Sequence, residues 1–411
     1  MSRELAWVDV SVPAGLTRAP FDKPRRLRIP QGWSASVHAR IDGARFLAPT
    51  PDGRLLVSRP GANQIYLVTP KPDGTATTTV FLGSGLSRPH DMVFAPVDGQ
   101  TWLFISEADK VVRYPYRAGD TKAQPGTVVV DGLPDGSTPE LRGQYAHVLK
   151  NIAVRGNTLY VSIASTCNIC ESDTVSDPQR ATIYTYDATG HNANRKLMAR
   201  GIRNAEGLAF APDSADLWIV VNNRDNIPVP DDRDVDGDGK SDKGKKVTAY
   251  VDNHPPEEFI KVADGGFYGW PFCNPNIDNG LRNMPFDRDY DLNRDGSKAD
   301  CSKATRVDVG LQAHSAPLGL TFLPGFGATI AMHGSWNSSV PVGYKVVHYP
   351  WVNGGPGEEH DLVTGFLDNG EVWSRPVDTA AGPDGSIFVS VDTGGAVLKL
   401  TPPAPSAAPT T

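Results

Sequence analysis

Arg45-Phe-Leu-Ala-Pro-Thr-Pro-Asp-Gly-Arg-Leu-Leu-Val-Ser58, followed by Gln64-Ile-Tyr-Leu-Val-Thr69, is a short apolar run, a Pro-Asp-Gly turn and two more β-rich runs. Asp-Gly between apolar runs is a strong hairpin signal, because such turns need residues that accept a positive φ. The unit recurs. His90-Asp-Met-Val-Phe-Ala-Pro-Val-Asp-Gly99 leads into Thr101-Trp-Leu-Phe-Ile-Ser106 and Lys110-Val-Val-Arg-Tyr114. Asn151-Ile-Ala-Val-Arg-Gly-Asn157 leads into Thr158-Leu-Tyr-Val-Ser-Ile163 and Ala181-Thr-Ile-Tyr-Thr-Tyr186. Gly207-Leu-Ala-Phe-Ala-Pro-Asp213 precedes Asp216-Leu-Trp-Ile-Val-Val221. Leu318-Gly-Leu-Thr-Phe-Leu-Pro-Gly325 precedes Thr329-Ile-Ala-Met-His333 and Tyr344-Lys-Val-Val-His-Tyr349. Asp378-Thr-Ala-Ala-Gly-Pro-Asp-Gly385 precedes Ser386-Ile-Phe-Val-Ser-Val391 and Ala396-Val-Leu-Lys-Leu-Thr401.

Six copies of a strand-and-hairpin unit predict an all-β fold, a six-bladed β-propeller whose sheets bury their faces on one another. Copies four and five are separated by far more chain than the others, which predicts long insertions there, over residues 226–315. The expected organisation is one domain over residues 1–401, with a Pro/Ala/Ser/Thr-rich tail or linker at 402–411. The 41 glycines and 35 prolines in 411 residues exclude a helical bundle. A net charge of −7 without a Lys/Arg block argues against a nucleic-acid surface. No apolar run is long enough to span a bilayer, and Met1-Ser-Arg-Glu-Leu-Ala-Trp7 does not read as a signal peptide.

The four cysteines are Cys167 and Cys170 in a Cys-Asn-Ile-Cys unit, and Cys273 and Cys301 standing alone. A zinc site built from four cysteines usually brings two close pairs, and a thioredoxin-like redox pair needs a βαβ setting. Two disulfides, 167–170 and 273–301, fit better and point to a periplasmic or secreted protein.

Polar residues recur at the blade-strand ends that would face a central channel: His90 and Asp91; His147, Lys150 and Asn151; Arg203 and Asn204; His333, Trp336 and Asn337; Trp373 and Arg375. Two acidic runs, Asp232-Arg-Asp234-Val-Asp236-Gly237-Asp238 and Asp291-Leu-Asn293-Arg-Asp295-Gly296-Ser297, match the front half of an EF-hand calcium loop. Both lack the closing Glu, with Lys243 and Ser302 at that position, so a solvated acidic loop is the competing reading.

Gly201-Ile-Arg-Asn-Ala-Glu-Gly-Leu-Ala-Phe210 and Pro256-Glu-Glu-Phe-Ile-Lys-Val-Ala-Asp-Gly-Gly-Phe-Tyr-Gly-Trp-Pro271 resemble the glucose/sorbosone dehydrogenase family, soluble propellers that use pyrroloquinoline quinone (PQQ). The chain is most similar to the sorbosone-dehydrogenase-like branch through His147-Val-Leu-Lys-Asn151, Ser165-Thr-Cys-Asn-Ile-Cys-Glu171, Ala313-His-Ser-Ala-Pro-Leu-Gly-Leu320, His333-Gly-Ser-Trp-Asn337 and Trp373-Ser-Arg-Pro-Val377. The resemblance implies a PQQ- and calcium-dependent dehydrogenase that oxidises an aldose, sorbosone-like or related sugar. Hydride passes to PQQ and electrons to an external acceptor. It places His147 as general base and Arg203 as the cation on the quinone and developing oxyanion. It also implies PQQ contacts from Asn204, Arg375, Asn151 and Trp336. The glucose-oxidising branch's fifth-blade lysine is replaced by His333-Gly-Ser-Trp-Asn337, leaving Lys150 as the alternative cation. A calcium ion is implied at the backbone carbonyls of Asn223 and Arg224. Two other readings of a six-bladed ring are a calcium-dependent lactonase, which needs converging carboxylates, and a binding propeller without catalysis.

Overall fold

The computed structural model describes residues 4–404. Its sheets form the six expected blades, each strand pairing antiparallel with the next. Blade one is Leu47–Pro49, Leu55–Arg59, Gln64–Pro70 and Ala76–Leu82; blade two is Met92–Val97, Gln100–Ser106, Val111–Pro115 and Thr127–Val130. Blade three is Asn151–Arg155, Thr158–Ile163, Thr182–Asp187 and Lys196–Arg200; blade five is Pro317–Leu323, Gly327–Met332, Lys345–Tyr349 and His360–Val363. Blade six takes Pro376–Ala381, Ile387–Val391 and Ala396–Thr401 from the C-terminal end, and Ser34–Arg40 from the N-terminal end. Ala35 opposite Leu400 and Val37 opposite Leu398 close the ring. Leu5–Ser11 and Arg26–Pro30 extend that sheet outward.

One expectation is corrected in blade four. Its inner strands are Ala205–Phe210 and Leu217–Val221, but its outer strands, Glu257–Lys261 and Val307–Leu311, come from within the stretch 226–315 expected to lie outside the ring. The true insertions are the loops on either side of Glu257–Lys261. Of the expected tail, residues 402–404 have no regular structure and 405–411 lie outside the described residues.

The second strands read as near-continuous apolar runs because both their faces are buried. Alternation divides each run between two neighbours. Leu55 and Val57 pack toward blade six with Phe388 and Val397, whereas Leu56 packs toward blade two with Leu103 and Ile105. Leu217, Ile219 and Val221 face blade three; Trp218 and Val220 face blade five. Each such side chain contributes roughly 1.5–3 kcal/mol when fully buried, so no blade is stable alone.

Polar bonds then fix the inner strands around the axis. Ser106 Oγ donates to the Lys150 carbonyl at 2.6 Å, Ser162 Oγ to Ala205 at 3.0 Å, Asn222 Nδ2 to Pro317 at 2.6 Å, Thr321 Oγ1 to Thr379 at 2.8 Å and Ser390 Oγ to Arg45 at 2.5 Å. Each bond crosses from one blade to the next. The inner strands approach so closely that a Cβ on Gly319 would collide with the Asp378 carboxylate, and one on Gly207 would lie 2.5 Å from the Leu318 carbonyl. Only glycine fits there.

Removing a buried hydroxyl that holds such a junction leaves a carbonyl without a partner. Ser390→Ala should therefore lower unfolding free energy by about 1–3 kcal/mol, measured as a shift in the urea midpoint at unchanged slope.

Candidate functional site

Inner strands begin where second strands end, so the residues flanking both meet at one end of the ring. There Ala146 and His147, Asn168, Arg203 and Asn204, Asn222 to Asn226 with Arg224 excepted, Glu257, His314, Ala316 and Trp336 line a cavity of about 380 Å³.

His147 is half-buried, with Nδ1 2.9 Å from the Ser165 carbonyl and 3.0 Å from Ser165 Oγ. A carbonyl oxygen can only accept, so Nδ1 carries the proton and Nε2 keeps its lone pair. Burial, reinforced by the Arg203 charge, pushes the imidazole down to about 4. It is therefore neutral at ordinary pH.

Arg203 is buried among acceptors. Its Nη2 donates to Asn168 Oδ1 at 3.0 Å and lies 3.4 Å from Asp225 Oδ2; Nη1 reaches the Asn222 carbonyl at 3.3 Å and Nε the Asn168 carbonyl at 3.3 Å. Asp225 Oδ1 lies 3.5 Å from His314 Nδ1, and His314 Nε2 donates to the Val251 carbonyl at 2.6 Å. Burial opposes charge on His314, but Asp225 and that carbonyl outweigh it and raise its pKa. Asn223 donates its amide to Glu257 Oε2 at 2.5 Å and its carboxamide to Glu258 Oε1 at 2.9 Å. Burial pushes the two glutamates up to about 7 and about 8.

Asn204 links the cavity to charges along the axis, its Nδ2 donating to Glu206 Oε1 at 3.2 Å. A register shift in the blade-four inner strand falls between Ala205 and Gly207, at Glu206. Glu206 meets His90 at 3.2 Å and Arg45 at 4.0 Å; Arg45 reaches Asp392 at 3.1 Å, and Asp392 meets His333 at 3.0 Å. Burial would favour a neutral Glu206, but His90, Arg45 and Asn204 prevail and take it down to about 2.

Of the residues singled out in the sequence, His147, Arg203, Asn204, Asn223 and Trp336 line the cavity. The others have different work. Lys150 is fully buried and donates to the carbonyls of Pro134 at 2.9 Å and Val148 at 2.6 Å, so it is not a substitute cation in the cavity. Burial takes it down to about 7. Asn151 lies buried beside Asp91, which accepts from the amides of Met92 and Ile152. Arg375 donates to the carbonyls of His333 at 3.0 Å and Gly334 at 2.5 Å, bracing the loop that carries Trp336. Trp373 is a core residue whose Nε1 bonds the Gly365 carbonyl at 2.6 Å.

The acidic runs are also corrected. Asp234 and Asp236 come together with Asp242, not with Asp232 and Asp238. Asp232 turns to Ser241 and Lys243, and Asp238 caps the Lys240 amide. In the second run no cluster forms among the described residues. Asp291 pairs with Arg224 at 3.0 Å, Asn293 is buried with its amide on the Phe272 and Ala299 carbonyls, and Asp295 caps Ser297. The Arg224 side chain is buried against Asp289 and Asp291, away from the cavity lining. Asp225, Glu257, His314, Asn168 and Asn222 were not singled out individually, although Asn168, Glu257 and His314 lie within quoted motifs. Cys167–Cys170 and Cys273–Cys301 are both disulfides, as expected.

A six-bladed ring whose inner-strand ends deliver a neutral histidine and a buried arginine to one polar cavity is a propeller with a candidate site on its axis. The chain belongs to the TrAA12-like family, whose model matches residues 27–402. The PQQ domain of pyranose dehydrogenase from Coprinopsis cinerea, in its holo form, is 20% identical with a TM-score of 0.76, over 95% of this chain and 100% of that one. The calcium structure of the Trichoderma reesei carbohydrate-active enzyme of family AA12 is 20% identical with a TM-score of 0.75, over 91% and 96%. The PQQ-bound aldose sugar dehydrogenase of Streptomyces coelicolor is 17% identical with a TM-score of 0.56, over 91% and 99%. These likenesses show the shared fold. An uncharacterized protein of Borreliella burgdorferi is 25% identical, over 94% of each chain.

The His147 environment has a direct readout. In a ring-proton NMR titration, the resonance lost in His147→Gln should move with a midpoint near 4. A midpoint near the free-histidine value, about 6.5, would mean that the ring is not held neutral.

Proposed function

We propose that this protein is a PQQ- and calcium-dependent dehydrogenase that oxidises an aldose, a sorbosone-like or a related sugar and passes electrons to an external acceptor. The observation that carries the reading is the pairing, in one cavity, of a neutral imidazole with a free Nε2 and a buried guanidinium.

The residues present fit both groups. PQQ is planar and carries three carboxylates; Arg203 and the carboxamides of Asn168, Asn204 and Asn222 are cavity donors, and the exposed indole of Trp336 offers a flat face. The carbonyl oxygens of Asn223 and Arg224 accept no hydrogen bond from the described residues, and the Glu257 carboxylate accepts from the Asn223 amide at 2.5 Å. Oxygen donors of that kind suit calcium. When bound, PQQ supplies a two-electron acceptor and calcium a Lewis acid. His147 takes the proton of the reacting sugar hydroxyl at Nε2 while Ser165 holds Nδ1–H, fixing the ring's tautomer. Arg203 stabilises negative charge that develops on the substrate oxygen, where the enclosed setting strengthens the interaction. The two disulfides support a periplasmic or extracellular location. Among the described residues no helix is long and apolar enough to cross a membrane.

Protein reconstituted with PQQ and Ca²⁺ should reduce a dye with an aldose or sorbosone as donor. His147→Ala should keep PQQ affinity and lose about 10²–10⁴-fold in kcat. Calorimetry showing no PQQ binding, or lactone hydrolysis without PQQ, would overturn the reading.

A further inference from the structure

The segment 165–170 touches both residues on which the proposed chemistry depends. Ser165 accepts from His147 Nδ1 through its carbonyl and hydroxyl, and its own amide donates to the Arg203 carbonyl at 2.7 Å. Its hydroxyl also donates to the Cys167 carbonyl at 3.0 Å. Three positions on, Asn168 is engaged through both ends of its carboxamide and through its backbone carbonyl. Its Oδ1 accepts from Arg203 Nη2 at 3.0 Å and the Asp225 amide at 2.8 Å, and its Nδ2 donates to the Asp225 carbonyl at 2.9 Å. Its backbone carbonyl takes Arg203 Nε at 3.3 Å and Trp270 Nε1 at 3.0 Å. The Cys167–Cys170 disulfide spans this residue.

We infer that Asn168, locked in the Cys167–Cys170 loop, is the positioning residue that sets the Arg203 guanidinium against His147. Two observations exclude a merely global role for the loop. A disulfide three residues apart closes a very small loop, so it restrains the unfolded chain far less than the 28-residue span of Cys273–Cys301. The loop also contributes no residue to the hydrophobic core clusters, whereas Cys273 and Cys301 both lie in one. What the short bridge fixes is local. A free Asn-containing turn would sample several backbone states, and the fork of Arg203 accepts partners only in fixed directions. With the turn closed, Asn168 presents two oxygens to one guanidinium and holds Asp225 on its far side. Asp225 in turn holds His314. The strap thereby transmits one geometry to the base, the cation and the acid side of the cavity.

This inference rests on the dehydrogenase reading for its catalytic consequence but not for its geometry, and the test separates the two. In ¹⁵N NMR of the full chain without cofactor, the Arg203 Nε–H signal, assigned by its loss in Arg203→Lys, should be resolved and slow to exchange with water. Asn168→Ala and the double variant Cys167→Ser/Cys170→Ser should move it to the free-arginine position with little change in Tm. Asn168→Asp, which keeps the acceptor oxygen, should retain it. With PQQ and Ca²⁺ bound, Asn168→Ala should lower kcat about 10- to 100-fold with a smaller change in KM. An unchanged Arg203 signal in Asn168→Ala would overturn the inference, as would loss of the signal only together with a collapse of Tm and near-ultraviolet dichroism. Should the double serine variant fail to fold, Asn168→Ala decides. Should the parent protein bind no PQQ, the function fails while the arginine signal still decides the positioning role.

Discussion

The side-chain hydrogen bonds that cross from one blade to the next near the axis are the constraint on which the site depends. Hydrophobic burial brings the sheets together, but it is non-directional and leaves their height and tilt open. Ser106, Ser162, Asn222, Thr321 and Ser390 each reach a specific backbone carbonyl, and that fixes the relative level of the inner strands. Once those levels are set, the residues just before an inner strand and just after a second strand must share one end of the axis. Arg203 and Asn204, Asn222 to Asp225, Asn168, Ala316 and Trp336 are in those positions. The cavity is thus a by-product of register.

Register also explains which parts were legible in the amino-acid order. The inner and second strands of each blade are joined by short turns and alternate between two buried faces, so both turn chemistry and period appear locally. The fourth strands do not announce themselves. Ala76-Thr-Thr-Thr-Val-Phe-Leu82 is largely exposed and carries no strict alternation, and Val307–Leu311 follows a long excursion. Ser34–Arg40 has its partner at the opposite end of the chain, a pairing no window of sequence can display. For the site, motif resemblance found His147 and Arg203. Glu257, Asp225 and His314 owe their importance to which loops meet in space, and Asp225 follows directly on Asn223 and Arg224, where only backbone carbonyls were expected to matter.

The acidic positions that do not cluster share one physical cause. A carboxylate in a Gly-rich loop can be filled by the loop's own amides as well as by a cation, and composition does not distinguish them. Asp238 accepts from the Lys240 amide, Asp295 from Ser297, and Asp291 is taken by Arg224. Lys150 shows the same effect with reversed sign: an ammonium three residues from His147 looks like a cofactor ligand, yet it donates to the carbonyls of Pro134 and Val148. Buried ion pairs such as Arg224 with Asp289 add little net stability once desolvation is counted. They do specify one arrangement for the loop carrying Asn223 and Asp225.

The closing strand makes the protein's birth unlike its growth. Ser34–Arg40 is synthesised long before its sheet partner Ala396–Thr401. Until both are free, blade six has no complete sheet, and blades one and five each have a face with nothing to cover it. A nascent chain of this topology cannot finish blade by blade; its decisive contact joins strands far apart in sequence, the class of contact that forms slowly and leaves edges open meanwhile. The ring therefore stays open until Ser34–Arg40 meets Ala396–Thr401.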